Sequence, residues 1–268
     1  MYDWPEARAE VDAQWAAMRD RLRAAGIEAP DALCRRNGDM PAVPGGIRDA
    51  SGAVVAPDPA TLPPDEFDLP TLWRHPDLLL AQTCWGPMNE TGLRDLVRVV
   101  AQPDYSDVPG GAEVFYSSAI LMRADDSGAP ASDVAPPPDG TARLPLEAMR
   151  GRRLAFNEKH SMSGWLALLA DLRAAGGDVA MLGGLMATGG HRASMQAVAQ
   201  GRADVCAVDC RSLVLARRFE PETARLRVAG WTARRLGLPL ICARSPGHPV
   251  PAIADAVRQA LAAGRPAA

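Results

Sequence analysis

The sequence is nearly without lysine: Lys159 is the only one among 29 basic residues, and arginine supplies all the others. Those residues do not outnumber the 32 acidic ones, and a formal net charge of −3 removes the positive excess on which non-specific binding to a nucleic acid backbone depends. No nucleic acid partner is therefore expected, and a small anion would have to be held by local dipoles. The arginine preference reads as compositional bias, not as a binding motif. Also absent is any uninterrupted apolar run close to the ~20 residues that span a bilayer, so no segment is expected to cross a membrane. The start, Met1-Tyr2-Asp3-Trp4-Pro5, lacks the basic stretch followed by an apolar one that marks a secretory signal. The five cysteines (Cys34, Cys84, Cys206, Cys210 and Cys242) have no Cys-x-x-Cys spacing and no histidine pair nearby. They predict neither a zinc site nor a full disulfide framework, and they read as small buried hydrophobes.

What the chain does contain is apolar mass: 47% of its 268 residues are hydrophobic, enough for one large or two small cores. Pro5 followed by Val11, Trp15, Met18 and Leu22 at helical spacing predicts an amphipathic helix that ends at Ala25-Gly26. Residues 35–64 are rich in Pro and Gly and predict an irregular surface insertion. A short helix over 69–73 and a strand over 77–83 follow. Strands are predicted at 96–101, 115–123, 152–157, 180–187, 203–209, 225–230 and 238–243, and helices at 164–175, 191–200 and 251–262. Cys206 and Cys210 are both placed on the strand side of that pattern. Strands alternating with helices of about ten residues imply parallel sheets covered on both faces, an α/β chain without internal repeats.

In such sheets ligands collect where strands end and helices begin. The turn Asn157-Glu-Lys-His-Ser161-Met162-Ser163-Gly164 sets two hydroxyls and free backbone N–H groups at a helix start, where an anion is favoured, although Ser in that place also serves as an ordinary cap. Thr188-Gly189-Gly190-His191, leading to Ser194, is a second turn of the same kind. Gln82-Thr83-Cys84-Trp85-Gly86-Pro87 is a third, and Tyr116-Ser117-Ser118 offers further hydroxyl donors. Asp209 ends a predicted strand at the same edge. It is either a helix cap or an acceptor for a P–OH hydrogen, which sulfate lacks.

In order and spacing these segments resemble the phosphate/phosphite/phosphonate-binding proteins of ABC importers, from Met1-Tyr-Asp-Trp-Pro5 through Leu80-Ala-Gln-Thr-Cys84, Tyr116-Ser-Ser, Gly151-Arg-Arg-Leu-Ala-Phe-Asn157, Ser161-Met-Ser-Gly164, Gly190-His-Arg-Ala-Ser194 and Ala203-Asp-Val-Cys-Ala-Val-Asp209. The resemblance implies two doubly wound α/β lobes of the type II periplasmic-binding-protein kind. Lobe 1 would hold residues 1–121 and 213–268, lobe 2 residues 122–212, with the ligand cleft between them and hinge strands joining them. It further implies a monomer that binds a small oxyanion, hands it to an ABC permease in the periplasm, and uses no cofactor, metal or catalysis. Ser161, Met162, Ser163 and Gly164 would cradle the phosphorus oxygens. Tyr116, Ser117, Asn157, His191 and Ser194 would contribute further contacts, Asp209 would act as acceptor, and Tyr2, Thr83, Cys84 and Trp85 would contribute from the other lobe.

The sequence departs from the family where Cys-Gly-Tyr-Pro is common and Cys84-Trp85-Gly86-Pro87 stands, exchanging a tyrosine for an indole. Met162 replaces a Thr or Gln. A strand that the family carries before the position of Met1 is expected upstream. The alternatives are an enzyme with Cys84 as nucleophile and His191 as base, a cytoplasmic sensor of the same fold, and a different small ligand.

Overall fold

The computed structural model describes residues 1–245 and 248–263 and divides into two units. Residues 246–247 and 264–268, part of the expected first lobe, lie outside the described residues. The first unit holds residues 1–83, 87–103 and 238 onward. A 3-10 turn at Pro5–Ala7 leads into α1 (Arg8–Ala24). Proline suits this start because its missing N–H would have no partner inside the helix. The helix ends as Gly26 takes a φ of +77°, a conformation that costs glycine little.

Within the insertion only β1 (Ile47–Arg48) and β2 (Val54–Ala56) pair regularly. Next comes α2 (Leu69–Arg74), capped by Asp68, whose carboxylate accepts from Thr71 N–H at 2.7 Å. Of the strand expected over 77–83 only β3 (Ala81–Gln82) joins a ladder. Short helices α3 (Trp85–Glu90) and α4 (Leu93–Leu96) precede β4 (Val97–Ala101). At the chain's end β13 (Leu240–Ala243) lies between β3 and β4, antiparallel to both, and α9 (Val250–Ala263) closes the unit. The core joins Trp15 and Leu22 of α1 to Val100, Leu240, Cys242, Ile253 and Val257.

The second unit holds residues 104–237 with Cys84–Gly86. Its elements are β5 (Gly111–Ala112), β6 (Phe115–Tyr116), β7 (Ser118–Arg123), α5 (Leu146–Met149), β8 (Arg153–Phe156), α6 (Ala167–Ala174), β9 (Gly184–Ala187), α7 (His191–Ala199), β10 (Val205–Asp209), α8 (Cys210–Phe219), β11 (Leu226–Trp231) and β12 (Arg235–Leu236). Five of the strands form one sheet in the order β11-β7-β10-β8-β9. Its middle is apolar on both faces, every residue of β10 being buried, and Ile120, Leu154, Phe156 and Val205 pack against Trp165, Leu168 and Leu172.

Four expectations need correction here. Among the described residues, parallel pairing holds only for β8, β9 and β10; β7 enters directly from β6 without a helical crossover and runs antiparallel to β10 and β11. Residues 104–121 and 213–237, assigned to the first lobe from the sequence, group with the second unit, because β7 and β11 are strands of its sheet. The strand expected over 115–123 breaks at Ser117 into β6 and β7, which belong to different sheets. Cys210 is not on a strand but opens α8, since Asp209 caps that helix; both Cys206 and Cys210 are buried thiols.

Candidate functional site

The parallel strands β8, β9 and β10 run on into the turns 157–164 and 188–191 and into Asp209, and here the second unit gathers its polar side chains. Ser161 is an N-cap: its Oγ accepts from Gly164 N–H at 3.1 Å. Its carbonyl accepts from both Trp165 N–H (3.2 Å) and Leu166 N–H (3.0 Å), so residues 162–166 wind as a π-turn before α6 begins. Such turns recur at functional sites. The Met162 N–H is not free, as it points at Cys84 Sγ, 3.3 Å away.

Gly164 lets the turn close. A Cβ at this position would stand 2.0 Å from Asn157 Oδ1 and 3.2 Å from His191 Cε1. A larger residue would push both side chains away.

Ser163 Oγ lies 2.9 Å from His191 Nε2, and the same nitrogen lies 3.4 Å from Asp209 Oδ2. Burial lowers the proton affinity of His191 more than Asp209 and Glu158 raise it, so the ring is neutral. A neutral ring beside a carboxylate carries its hydrogen on Nε2, which leaves Nδ1 as an acceptor, and that atom has no partner. The Ser163 hydroxyl hydrogen is then available for another acceptor.

Asp209 is committed as the cap of α8, with Oδ1 accepting from Ser212 N–H at 2.9 Å and Oδ2 from Ser212 Oγ–H at 2.6 Å. A carboxylate has about four acceptor positions, more than the two that Ser212 occupies. Cap and acceptor, set against each other in the sequence, are compatible in one residue.

Tyr116 is 2% exposed. Burial pushes its hydroxyl well above the ordinary value, Cys84, Asp209 and Tyr105 add to the rise, and Ser163 alone acts the other way. Tyr116 therefore stays protonated. Tyr116 Oη is buried and makes no hydrogen bond by distance and angle. Asn157 Oδ1 is likewise buried and unpaired. One wall of the crevice under Tyr116 and Ser163 is Arg235, held by Asp171 through contacts of 2.6 and 3.0 Å.

The geometry is not that of a hydrolytic triad, in which nucleophile and acid take opposite ring nitrogens; here Ser163 and Asp209 both address Nε2. Nor is Cys84 an activated thiol, for burial pushes its pKa up.

Residues 86–266 match the family model of ABC-transporter phosphonate periplasmic substrate-binding proteins. The chain belongs to this family. No curated protein matches the sequence. Among solved structures, PhnD1 from Prochlorococcus marinus in complex with methylphosphonate is 14% identical, with 94% of this chain and 79% of that one covered and a TM-score of 0.58. A binding-protein component of an ABC phosphonate transporter from Pseudomonas aeruginosa is 14% identical over 96% of this chain and 69% of that one, with a TM-score of 0.52. A protein from Xanthomonas citri bound to ATP is 15% identical over 93% of this chain and 79% of that one, with a TM-score of 0.50. At such identities the likeness is one of fold, the two-lobed α/β fold of type II periplasmic binding proteins. Proteins of the family are periplasmic, and among the described residues no helix is long and apolar enough to cross a membrane.

Set against this family's fold, the residues singled out in the sequence divide into three groups. Tyr116, Asn157, Ser161, Met162, Ser163, Gly164, His191 and Asp209 converge in the second unit, and Cys84 joins them through its contact with Met162. Three others have their polar atoms engaged structurally. Trp85 donates its indole N–H to the Gly237 carbonyl at 2.8 Å, Ser194 Oγ is 2.6 Å from Thr188 Oγ1, and the backbone of Ser117 bonds to Gly110 and Cys210. Tyr2 and Thr83 belong to the first unit, where Thr83 is fully buried and its Oγ1 is unpaired. Sequence reasoning missed Tyr105, Asp171 and Arg235. Nothing local marks them, since they reach the site from separate segments.

Proposed function

We propose that this protein binds a phosphorus oxyanion of the phosphate, phosphite or phosphonate class at the cluster of Tyr116, Ser161, Ser163, His191 and Asp209. It acts as the substrate-binding component of an ABC importer, a periplasmic monomer that presents its ligand to the permease and catalyses nothing. The observation that carries this reading is the set of buried polar atoms without partners, Tyr116 Oη, His191 Nδ1 and Asn157 Oδ1, around one helix start. Each such atom costs about 1–3 kcal/mol when left unpaired, and a bound ligand offsets that cost.

The donors and acceptors match a tetrahedral monoanion. The hydroxyl hydrogens of Ser161, Ser163 and Tyr116 suit its unprotonated oxygens, while His191 Nδ1 and the Asp209 carboxylate suit a P–OH hydrogen. Sulfate has no hydrogen to offer, and it would leave the acceptors unpaired beside a negative carboxylate. Family membership and the methylphosphonate held by the P. marinus protein support the ligand class.

Ligand binding to the folded state raises the melting temperature by mass action. In a thermal-shift series with methylphosphonate, phosphite, phosphate, 2-aminoethylphosphonate and sulfate, at least one phosphorus compound should raise the transition and sulfate should not. A series in which no phosphorus oxyanion moves the transition removes this function.

A further inference from the structure

Tyr116 sits in a strand of only two residues. β6 is flanked by β5 and β12, each also two residues long, with Gly111 and Arg235 as the direct partners of Tyr116. So short a ladder fixes the backbone but orients a large ring weakly. Tyr105 lies against this ring, the centroids 5.4 Å apart and the planes 27° from parallel.

Tyr105 is itself 1% exposed and tightly held. Its N–H donates to the Glu113 carbonyl at 2.7 Å, and its carbonyl accepts from Val108 N–H at 3.2 Å. Two glycines make room for it, since a Cβ on Gly111 would stand 1.9 Å from the Tyr105 carbonyl oxygen and one on Gly237 would stand 2.2 Å from its ring. The guanidinium of Arg211 covers the Tyr105 ring at 5.5 Å from the centroid. Asp107 grips that guanidinium through two contacts of 2.6 Å. Arg211 is the second residue of α8, directly after the Asp209–Cys210 step. The stack Arg211–Tyr105–Tyr116 thus ties the helix capped by Asp209 to the strand carrying Tyr116.

We infer that Tyr105 is a positioning residue for ligand binding: its stacked ring, backed by Arg211, holds the Tyr116 hydroxyl in the site. This rests on the function proposed above. Its own content is that Tyr105 acts through Tyr116 and through no contact with the ligand. The ring performs this task, not its hydroxyl, so phenylalanine should replace Tyr105.

The test has one arm with ligand and one without. In calorimetry with methylphosphonate, Tyr116→Phe should weaken binding about tenfold, the loss of one hydrogen bond to a charged group. Tyr105→Leu should weaken it by a similar factor, should add little in the Tyr116→Phe background, and should be rescued by Tyr105→Phe. Equal losses from Tyr105→Leu in both backgrounds, or none in either, would overturn the inference.

The second arm uses the fact that the chain has three tyrosines, Tyr2, Tyr105 and Tyr116. With 3-fluorotyrosine incorporated, the ligand-free protein should give a Tyr116 fluorine resonance that is a single narrow line in the native and Tyr105→Phe proteins. That line should shift and broaden in Tyr105→Leu; an unchanged line overturns the positioning role. If neither methylphosphonate nor any other phosphorus oxyanion of the thermal-shift series binds to these proteins, the proposed function fails, while the fluorine spectra still decide whether Tyr105 orients Tyr116.

Discussion

Helix α8 and the turn at Met162 both begin just after parallel strands of the same sheet, and both carry a side-chain cap, yet their surroundings differ. At α8 each Asp209 oxygen accepts from Ser212, Oδ1 from its N–H and Oδ2 from its hydroxyl. At Met162 the Ser161 cap is made, but Tyr116 Oη, His191 Nδ1 and Asn157 Oδ1 stay buried and unpaired around it. The contrast separates two readings of one sequence signal. A serine or aspartate before a helix completes the helix in either place. What differs between the two is the set of buried unpaired atoms that other segments bring to the Met162 turn.

The strongest way to break this contrast is to remove the hydroxyls from the Met162 turn. Ser161→Ala combined with Ser163→Ala deletes two hydrogen bonds to a charged ligand, each ~1.5 kcal/mol or more. Affinity for the ligand found in the thermal-shift series should fall about 100-fold or further, measured by calorimetry. The lost cap costs about 1 kcal/mol of stability and the fold persists. Unchanged affinity would show the two helix starts to be equivalent.

A smaller change sharpens the contrast from the α8 side. Asparagine caps a helix about as well as aspartate, so Asp209→Asn should keep the fold while losing the bond from Ser212 Oγ–H to Oδ2. It should also narrow the preference for phosphate over sulfate by about tenfold, because the negative acceptor is gone. If both affinities stay where they were, Asp209 is a cap and nothing else.

The smallest expected effect is in pH dependence. The pKa of His191 is held below its ordinary value of 6.5 by burial. As pH falls below that value the unfolded chain takes up a proton before the folded one does, so the neutral buried ring costs stability progressively until its own folded-state pKa is reached. Stability measured by urea unfolding should therefore rise as pH increases toward and through 6.5, and His191→Gln should flatten the slope. A slope that the substitution leaves intact would place the titration elsewhere.

Much of the second unit was legible because its signals are local. The apolar run 203–209 becomes β10, the period of 191–200 becomes α7, and the turns after strands carry the residues that converge. Strand lengths were overestimated where a break or turn interrupts the ladder, as at Ser117 and over 180–187, where a 3-10 turn at Val179–Met181 precedes β9. The Asp171–Arg235 pair and the Tyr105–Tyr116 stack could not be read at all. Their members stand far apart in the chain, and each residue type has many commoner roles.

By itself the sequence determined the α/β class, the family and the turns that bear hydroxyls and glycine, because periodicity, capping and left-handed turns are properties of short segments. The tertiary structure decided which strands run antiparallel, that residues 104–237 group with Cys84–Gly86 in the unit carrying the candidate site, and which polar atoms are left unsatisfied. Those outcomes depend on what distant segments bring to each atom, a matter of packing in three dimensions that no local pattern encodes.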